Sequence, residues 1–234
     1  DARSLQLELG CPEEKTCVTP NGIAVEEFES IPQKDTDDEM INLGAILRVA
    51  PIKDVKTMIN AFYYAKKREP KLKLWVMGPW DEDEEYAQEC FDLVENLQVK
   101  DIVFTGRIDT KDYIGKMDML ILTSISEGQP LTILEGFAAR KPVIATNVGN
   151  CAGLIYGEAD DLGAAGIVLP VMNIGKISDA IVELAKNREK RLKMGEIGYE
   201  RVCERYRIEY MRSTYEEIYR KMAADNGVPW PEKV

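Results

Sequence analysis

The sequence predicts an α/β domain of the Rossmann-like type, a doubly wound parallel sheet with helices on both faces and additional C-terminal helices. Short apolar segments alternate with segments in which apolar residues recur at helical spacing. The apolar segments are continuous rather than alternating, as in strands that are buried on both faces. Several end at a glycine or a polar loop, the edge at which such sheets bind ligands.

Composition narrows the range of functions. The 234 residues, 45% of them hydrophobic, suffice for a single domain over residues 1–234. A net charge of −11 argues against nucleic acid or an anionic membrane as a partner, so an anionic ligand would need a local cluster of cations. No bilayer-spanning segment or signal peptide is visible, and five scattered cysteines favour reduced thiols in the cytoplasm. With no histidine, the chain cannot build histidine-dependent triads or metal sites of its own.

The first half of the chain contains three units in which a strand precedes a helix. The predicted strands are 40–47, 72–77 and 102–105, and the predicted helices are 55–68, 82–97 and 110–115. Pro70 ends the first helix, and Gly78 and Gly106 end the second and third strands. Residues 24–39 are polar and contain Pro32, so they are predicted to be a loop.

The second half repeats this pattern and then becomes helical. The predicted strands are 119–123, 143–146 and 166–169, and the predicted helices are 131–140, 174–186, 189–203 and 208–223. Lys141 and Pro142 end the helix at 131–140. Residues 148–153 carry two glycines and are predicted to be a loop.

The stretch between the strand at 119–123 and the next helix is the most informative part of the sequence. Pro130 suits the first helical position, which would leave the N–H groups of Leu131 and Thr132 without partners in the helix. These groups and the helix dipole form an anion site. Glu127 and Glu135 stand eight positions apart across this turn, so the site pairs phosphate neutralisation with two carboxylates.

Cations follow the first strand. Arg48 and Lys53 could hold a diphosphate, the first through its planar fork and the second as a point charge, although solvated surface cations are the commoner explanation of the spacing alone. Arg107 could face the same cleft or be an ordinary exposed residue. On residue type alone, Glu127 could simply favour the helix start, and Glu135 could be a solvated edge residue.

Several motifs, in order, resemble the donor site of retaining GT-B glycosyltransferases of family 4. They are Val18-Thr19-Pro20-Asn21-Gly22-Ile23, Arg48-x4-Lys53 and Glu127-x7-Glu135 with Gly-Gln-Pro-Leu after the first acid. The segments 48–57 and 123–131 are most similar to the Pel-polysaccharide type. The resemblance covers about residues 16–222.

The resemblance implies roles for the site residues. Arg48, Lys53 and the N–H groups of Leu131 and Thr132 would hold the diphosphate of a nucleotide-sugar, UDP-glucose or a relative. Glu135 would bind the ribose and Glu127 the transferred sugar. The remaining implied contacts are Gly128, Gln129, Pro130, Gly78 and the base-reading backbone at Arg107 and Ile108. Neither a cofactor nor a metal is implied, and transfer would retain the anomeric configuration.

The resemblance also implies that this chain is one half of a GT-B enzyme, the C-terminal donor-binding domain. An acceptor domain would precede residue 1, and the helix within 204–223 would pack against it. The isolated chain would then bind donor and transfer little sugar. The acceptor would be a polysaccharide or lipid-linked glycan, and cooperation with a polysaccharide-export complex is implied by the Pel-type resemblance.

Two departures and two alternatives accompany this interpretation. Asp54 stands where many family members carry glycine, and Ala152-Gly153 replaces an expected Arg-Glu-like pair. A non-catalytic nucleotide-sugar-binding subunit of a split transferase would show the same motifs. A sugar-nucleotide epimerase of this architecture would usually carry a histidine, which this chain lacks.

Overall fold

A computed structural model describes residues 2–34, 39–158 and 160–230. Within them, six parallel strands form one sheet: β1 (Ile41–Ile46), β2 (Leu72–Met77), β3 (Ile102–Gly106), β4 (Met119–Leu122), β5 (Val143–Thr146) and β6 (Gly166–Leu169). Their order is β3-β2-β1-β4-β5-β6. The winding direction therefore reverses between β1 and β4, which opens a crevice at their carboxyl ends. The predicted Rossmann-like fold class is confirmed.

Helices cover both faces of the sheet in the described residues. They are α1 (Ala2–Glu8), α2 (Glu26–Glu29), α3 (Val55–Arg68), α4 (Glu84–Leu97), α5 (Lys111–Ile114), α6 (Leu131–Ala138), α7 (Cys151–Tyr156), α8 (Ile174–Lys186), α9 (Arg188–Arg205) and α10 (Ile208–Asp225), with 3-10 turns at Glu13–Lys15 and Pro51–Lys53. None of these helices combines the length and the apolar character needed to cross a bilayer.

Two hydrophobic cores result from the alternation of side chains along each strand. In β4, Met119 and Ile121 face the core shared with α3, α4 and α8, whereas Leu120 and Leu122 face the core shared with α6, α7 and α9. All four side chains are buried, which explains the continuous apolar run in the sequence.

Two predicted loops contain helices. Residues 151–156 form α7 because Cys151, Leu154 and Ile155 bury one face of a helical turn, a pattern too short to stand out in the sequence. Part of 24–39 forms α2, where Phe28 is buried against α6. Residues 35–38 of that segment lie outside the described residues.

The last helix begins next to the segment that leads into the domain. The N–H of Ile23 donates to the Tyr206 carbonyl at 2.8 Å, and the N–H of Ile208 donates back to the Ile23 carbonyl at 2.9 Å. A Cβ on Gly22 would lie 2.8 Å from the Ile208 Cα, so only glycine fits this contact. Helix α10 covers the predicted 208–223 and has no buried residue.

A buried ion pair anchors the end of α7. Arg201 of α9 is 1% exposed, and its Nε and Nη2 each lie 2.8 Å from an oxygen of Asp160. The same guanidinium donates to the carbonyls of Ile155 at 2.9 Å and Gly163 at 2.6 Å. The Arg201 guanidinium holds the pKa of Asp160 below its usual value. The Asp160 side chain is 5% exposed and Ile155 is fully buried, so losing the cation would leave the Asp160 charge and the Ile155 carbonyl without their main partner.

Arg201→Met is therefore expected to lower the free energy of unfolding by about 3–5 kcal/mol, measured by urea denaturation. The control is Arg220→Met in α10, which removes an exposed pair with Glu216 and should change stability by about 0.5 kcal/mol or less. Equal, small losses in both variants would contradict an anchoring role for Arg201.

Candidate functional site

The loops after β1 and β4 are joined by backbone and hydroxyl contacts at the point where the winding reverses. The N–H of Ile125 donates to the Ile52 carbonyl at 3.0 Å. The hydroxyl of Thr123 lies 3.0 and 3.1 Å from the carbonyls of Lys53 and Asp54. These contacts hold both loops in one arrangement, so side chains that are far apart in sequence keep fixed positions at the crevice.

An ion pair spans the crevice. Lys53 Nζ lies 2.5 Å from Glu127 Oε1, and the two side chains are 19% and 11% exposed. Ser124 Oγ donates to the same oxygen at 2.6 Å. A pair this shielded from solvent is screened less than a surface pair, and it brings together two of the predicted site residues.

The amino end of α6 lies beside this pair. Pro130 has φ −71° and ψ 125° and so precedes the helix, which begins at Leu131; the prediction that Pro130 occupies the first helical position was one residue early. The hydroxyl of Thr132 donates to the Ile46 carbonyl at the end of β1, at 3.0 Å. First-turn N–H groups have no partner within a helix, so those of Leu131 and Thr132 are available to an anion.

Arg48 follows β1 on the same edge and meets an acid that the sequence analysis did not single out. The Arg48 Nη1 atom lies 3.2 Å from Glu82 Oε2, and Arg107 Nη2 lies 3.7 Å from the other oxygen of that carboxylate. The side chains of Arg48 and Arg107 are 54% and 72% exposed. Such exposed pairs are weak, so an incoming phosphate can displace Glu82 from either arginine at little cost.

Glu135 lies one helical turn beyond Leu131, on the same face of α6. Among the described residues, no side chain or backbone group makes a hydrogen bond with its carboxylate. Burial raises the pKa of Glu135 above the ordinary glutamate value of 4.5, and the charge of Lys111 partly opposes this shift. A half-buried acid kept without a strong partner is typical of a functional site.

The loop that carries Glu127 is also bound from the amino-terminal segment. The N–H of Asn21 donates to Gln129 Oε1 at 2.5 Å, and the side-chain amide of Asn21 donates to the Gln129 carbonyl at 2.8 Å. Gln129, predicted to bind substrate, thus has its amide oxygen engaged within the protein. Gly128 is exposed, with open space where a Cβ would point, and its carbonyl accepts the Asn150 N–H at 2.8 Å.

The remaining predicted contacts lie at the ends of β2 and β3. Gly78 has φ +147°, and a Cβ there would lie 2.0 Å from the Leu47 carbonyl oxygen, so chain packing alone requires glycine. Ile108 is half-buried against the core that contains α6, next to the exposed Arg107. The structure therefore brings the backbone at 107–108 to the same edge of the sheet as Arg48.

Asp54 occupies a backbone conformation that usually favours glycine. Its φ is +47°, and its Oδ1 accepts the Thr57 N–H at 3.3 Å, which caps α3. The other oxygen, Oδ2, is buried and has no hydrogen-bond partner among the described residues. The cap explains why an aspartate is tolerated where the resemblance leads one to expect glycine.

Other parts of the described structure do not supply a competing site. Among the described residues, no group of three or more Cys, Asp or Glu could hold a metal ion. Cys151 interacts with the charges of Glu127 and Lys53, but burial raises the pKa of its thiol to about 11, so it stays protonated near neutral pH. All five cysteines are free.

Two cavities lie away from the Lys53–Glu127 pair. One, of about 410 Å³, opens at the amino ends of β1, β4 and β5, where Lys34 pairs with Asp118 at 2.7 Å. The other, of about 420 Å³, lies between α7 and the end of β6 and is lined by Tyr156 and Leu169.

The match to a protein family follows the same residues. The profile described as "Glycosyl transferases group 1" matches residues 25–201, most of the chain. The chain belongs to this family. A curated relative, the alpha-monoglucosyldiacylglycerol synthase of Streptococcus pneumoniae, is 32% identical over 203 residues, which is 75% of this chain and 45% of the relative. The chain thus spans about half the length of that relative.

Solved structures of other proteins share the fold. The Anabaena protein Alr3699/HepE, in complex with UDP and glucose, has a TM-score of 0.80 at 17% identity over 93% of this chain and 60% of its own. The C-terminal domain of a group 1 family protein (LpcC) from Francisella tularensis matches over its whole length and 80% of this chain, with a TM-score of 0.68 and 22% identity. At these identities the likeness concerns the fold alone.

Sequence reasoning singled out the charged side chains at this crevice but missed some of the groups that contact them. Ser124 and Glu82 were not singled out, and Asn21 was noted only as part of the motif at 18–23, with no contact assigned to it. The Ser124 contact had a local signal, since a hydroxyl three positions before an acid in a turn can reach its carboxylate. The Glu82 contact depends on the juxtaposition of β1 and β2, which no local pattern shows.

Glu135→Gln is expected to raise the thermal unfolding midpoint at neutral pH. Because the pKa of Glu135 is raised in the folded state, ionisation opposes folding above about pH 4.5, and the neutral amide removes this penalty. The gain in the unfolding midpoint should vanish as the pH falls below that value, since the wild-type carboxyl is then protonated in both the folded and the unfolded state. Thermal unfolding between pH 4 and 8 measures this.

The control is Glu200→Gln, which neutralises an exposed acid on α9 and should show little change at any of these pH values. A Glu135→Gln variant less stable than wild type at neutral pH would mean that the carboxylate has a favourable partner in the folded protein.

Proposed function

We propose that this glycosyltransferase domain binds the donor of a retaining transfer reaction, a UDP-sugar such as UDP-glucose or a close relative. The observation that carries the proposal is the Lys53–Glu127 pair across the β1–β4 crevice, next to the first turn of α6. A cation, a carboxylate and a helix amino terminus at one point match the phosphates and hydroxyls of a nucleotide-sugar. The complex of the Anabaena neighbour with UDP and glucose is consistent with this donor class.

In the proposed complex, the diphosphate lies between Arg48, Lys53 and the N–H groups of Leu131 and Thr132. Arg48 exchanges its exposed contact with Glu82 for a phosphate oxygen, and Lys53 keeps a donor hydrogen for another. These groups are fixed before the reaction, so they stabilise the negative charge that the departing diphosphate gains. The protein thereby lowers the barrier with groups that are in place once the donor is bound.

The two acids recognise hydroxyl groups. Glu135 accepts hydrogen bonds from the ribose, which supplies the polar partner that its half-buried carboxylate lacks. Glu127 accepts hydrogen bonds from the transferred sugar. The backbone at Arg107 and Ile108 contacts the base. No metal ion is required in this scheme, since the two cations and the helix terminus supply the positive charge.

The proposed chemistry is a single exchange on one face of the sugar. The bond between the anomeric carbon and the diphosphate oxygen breaks, and a bond from the same carbon to an acceptor hydroxyl oxygen forms. The acceptor proton passes to the departing diphosphate, so atoms and charge balance and the anomeric configuration is retained. Both carboxylates of the proposed residue set are assigned to hydroxyl groups and neither to the anomeric carbon, which favours this course over double displacement.

We further propose that an acceptor-binding domain packs against α10 and the segment at 18–23. Helix α10 has no buried residue and exposes large side chains, of which Tyr215, Tyr219 and Met222 share one face. Thr19 donates to the Tyr215 hydroxyl at 3.1 Å, so the helix and the segment form one surface. The acceptor would be a polysaccharide or lipid-linked glycan. Transfer would take place in the cytoplasm, where nucleotide-sugars are made.

Calorimetric titration of the chain with UDP is expected to show saturable binding at one site. Arg48→Ala and Glu135→Ala should each weaken it by about 1–3 kcal/mol, because each removes a charged hydrogen-bonding group. The control is Arg68→Ala at the far end of α3, where an exposed arginine pairs with Asp179, and its affinity should match wild type.

Failure of a folded wild-type sample to bind UDP would refute the proposed donor. Binding that survives unchanged in Arg48→Ala and Glu135→Ala would place the nucleotide elsewhere on the molecule.

A further inference from the structure

Ser124 is a buried hydroxyl that contacts one of the proposed site acids directly. It is 0% exposed, and its Oγ donates to Glu127 Oε1 at 2.6 Å. Lys53 Nζ reaches the same oxygen at 2.5 Å from the opposite loop. The two donors thus converge on one carboxylate oxygen, whereas Oε2 receives no hydrogen bond from the described residues.

Two donors on one oxygen restrict the carboxylate more than either does alone. The terminal torsion of a glutamate is broad, so a single flexible lysine leaves the carboxylate plane poorly defined. The serine side chain is short and lies on the same turn, and its bond fixes the direction in which Oε2 points. Oε2 is consequently the oxygen left to accept a hydrogen bond from a ligand.

The serine itself is held from a third strand. Thr146, the last residue of β5, is 0% exposed, and its hydroxyl donates to the Ser124 carbonyl at 2.6 Å. The position of Glu127 therefore depends on β1 through Lys53, on β4 through Ser124 and on β5 through Thr146. Sites held this way on rigid elements keep their geometry before the ligand arrives.

We propose that Ser124 is a positioning residue for recognition of the transferred sugar: it aims Glu127 Oε2 at the sugar hydroxyls and does not itself touch the donor. This inference rests on the proposed function of the site. It predicts a selective effect, because the sugar is recognised through Glu127, whereas UDP is held by other groups. Removing the hydroxyl should therefore reduce affinity for the sugar part and spare the nucleotide part.

The test compares the full chain with Ser124→Ala and Ser124→Cys, each titrated with UDP-glucose, UDP-galactose, UDP-N-acetylglucosamine and UDP. For each UDP-sugar, the association constant is divided by that of UDP, and the UDP-sugar with the highest ratio in the wild type is used for the comparison. Ser124→Ala should lower this ratio about tenfold. Ser124→Cys keeps a weak donor and should fall between wild type and alanine. UDP affinity should stay within about twofold of wild type in both.

The matched control is Ser178→Ala in α8, which removes a buried hydroxyl that has no hydrogen-bond partner among the described residues. It should leave both affinities unchanged. Glu127→Gln serves as the reference, since it alters the acid that Ser124 is proposed to aim and should also lower the ratio.

The outcomes separate this inference from the donor proposal. An unchanged ratio in Ser124→Ala, with a lowered ratio in Glu127→Gln, overturns the role of Ser124 and leaves donor binding intact. Equal losses for UDP and its sugar conjugates in Ser124→Ala overturn it as well, because they indicate a disordered loop. A wild-type chain that does not bind UDP refutes the donor proposal and this inference together.

Discussion

Hydrogen bonds between the loops that follow β1 and β4 are the constraint on which the candidate site depends. The Thr123 hydroxyl reaches the Lys53 and Asp54 carbonyls, and the Thr132 hydroxyl reaches the end of β1. In a doubly wound sheet the chain departs in opposite directions from these two strands, which opens the crevice. The hydroxyl contacts keep the crevice narrow enough for Lys53 and Glu127 to meet across it.

The electrostatics of the site contrast with those of the whole chain. A net charge of −11 repels anions at long range, but within a Debye length of about 8 Å the nearest charges dominate. Lys53, Arg48 and the amino end of α6 supply positive potential on that scale. The two acids lie in different surroundings: Glu127 accepts hydrogen bonds from two donors, whereas Glu135 is half-buried and has no hydrogen-bond partner among the described residues.

The sequence predicted well those strands and helices whose limits are set by their burial pattern alone. The strands at 72–77 and 143–146 and the helices at 55–68 and 174–186 agree with the structure at both ends, because burial on both faces of the sheet or on one face of a helix sets their patterns. Helix α7 was missed because its pattern covers only six residues and follows Gly149. Pro130 was misplaced by one residue, since proline fits both the position before a helix and its first turn.

The charged residues of the candidate site could be predicted because several motifs occur in order along the sequence, although residue type and spacing alone left each residue open. The groups that orient them could not, since Asn21–Gln129 and Thr146–Ser124 join residues 108 and 22 positions apart. Arg201 is the extreme case: nothing in its neighbourhood of α9 distinguishes it from exposed arginines. Its burial results from the packing of α9 over the loop at 160–163.

The central claim, that a diphosphate binds at the first turn of α6 beside Lys53, is tested most directly by amide chemical shifts. In a titration of the ¹⁵N-labelled chain with UDP, the Leu131 and Thr132 amides should show the largest shifts, with saturation at the same concentration. The amide resonances around Asp118, at the opposite edge of the sheet, should not shift. Shifts that concentrate at that edge and spare α6 would contradict the claim.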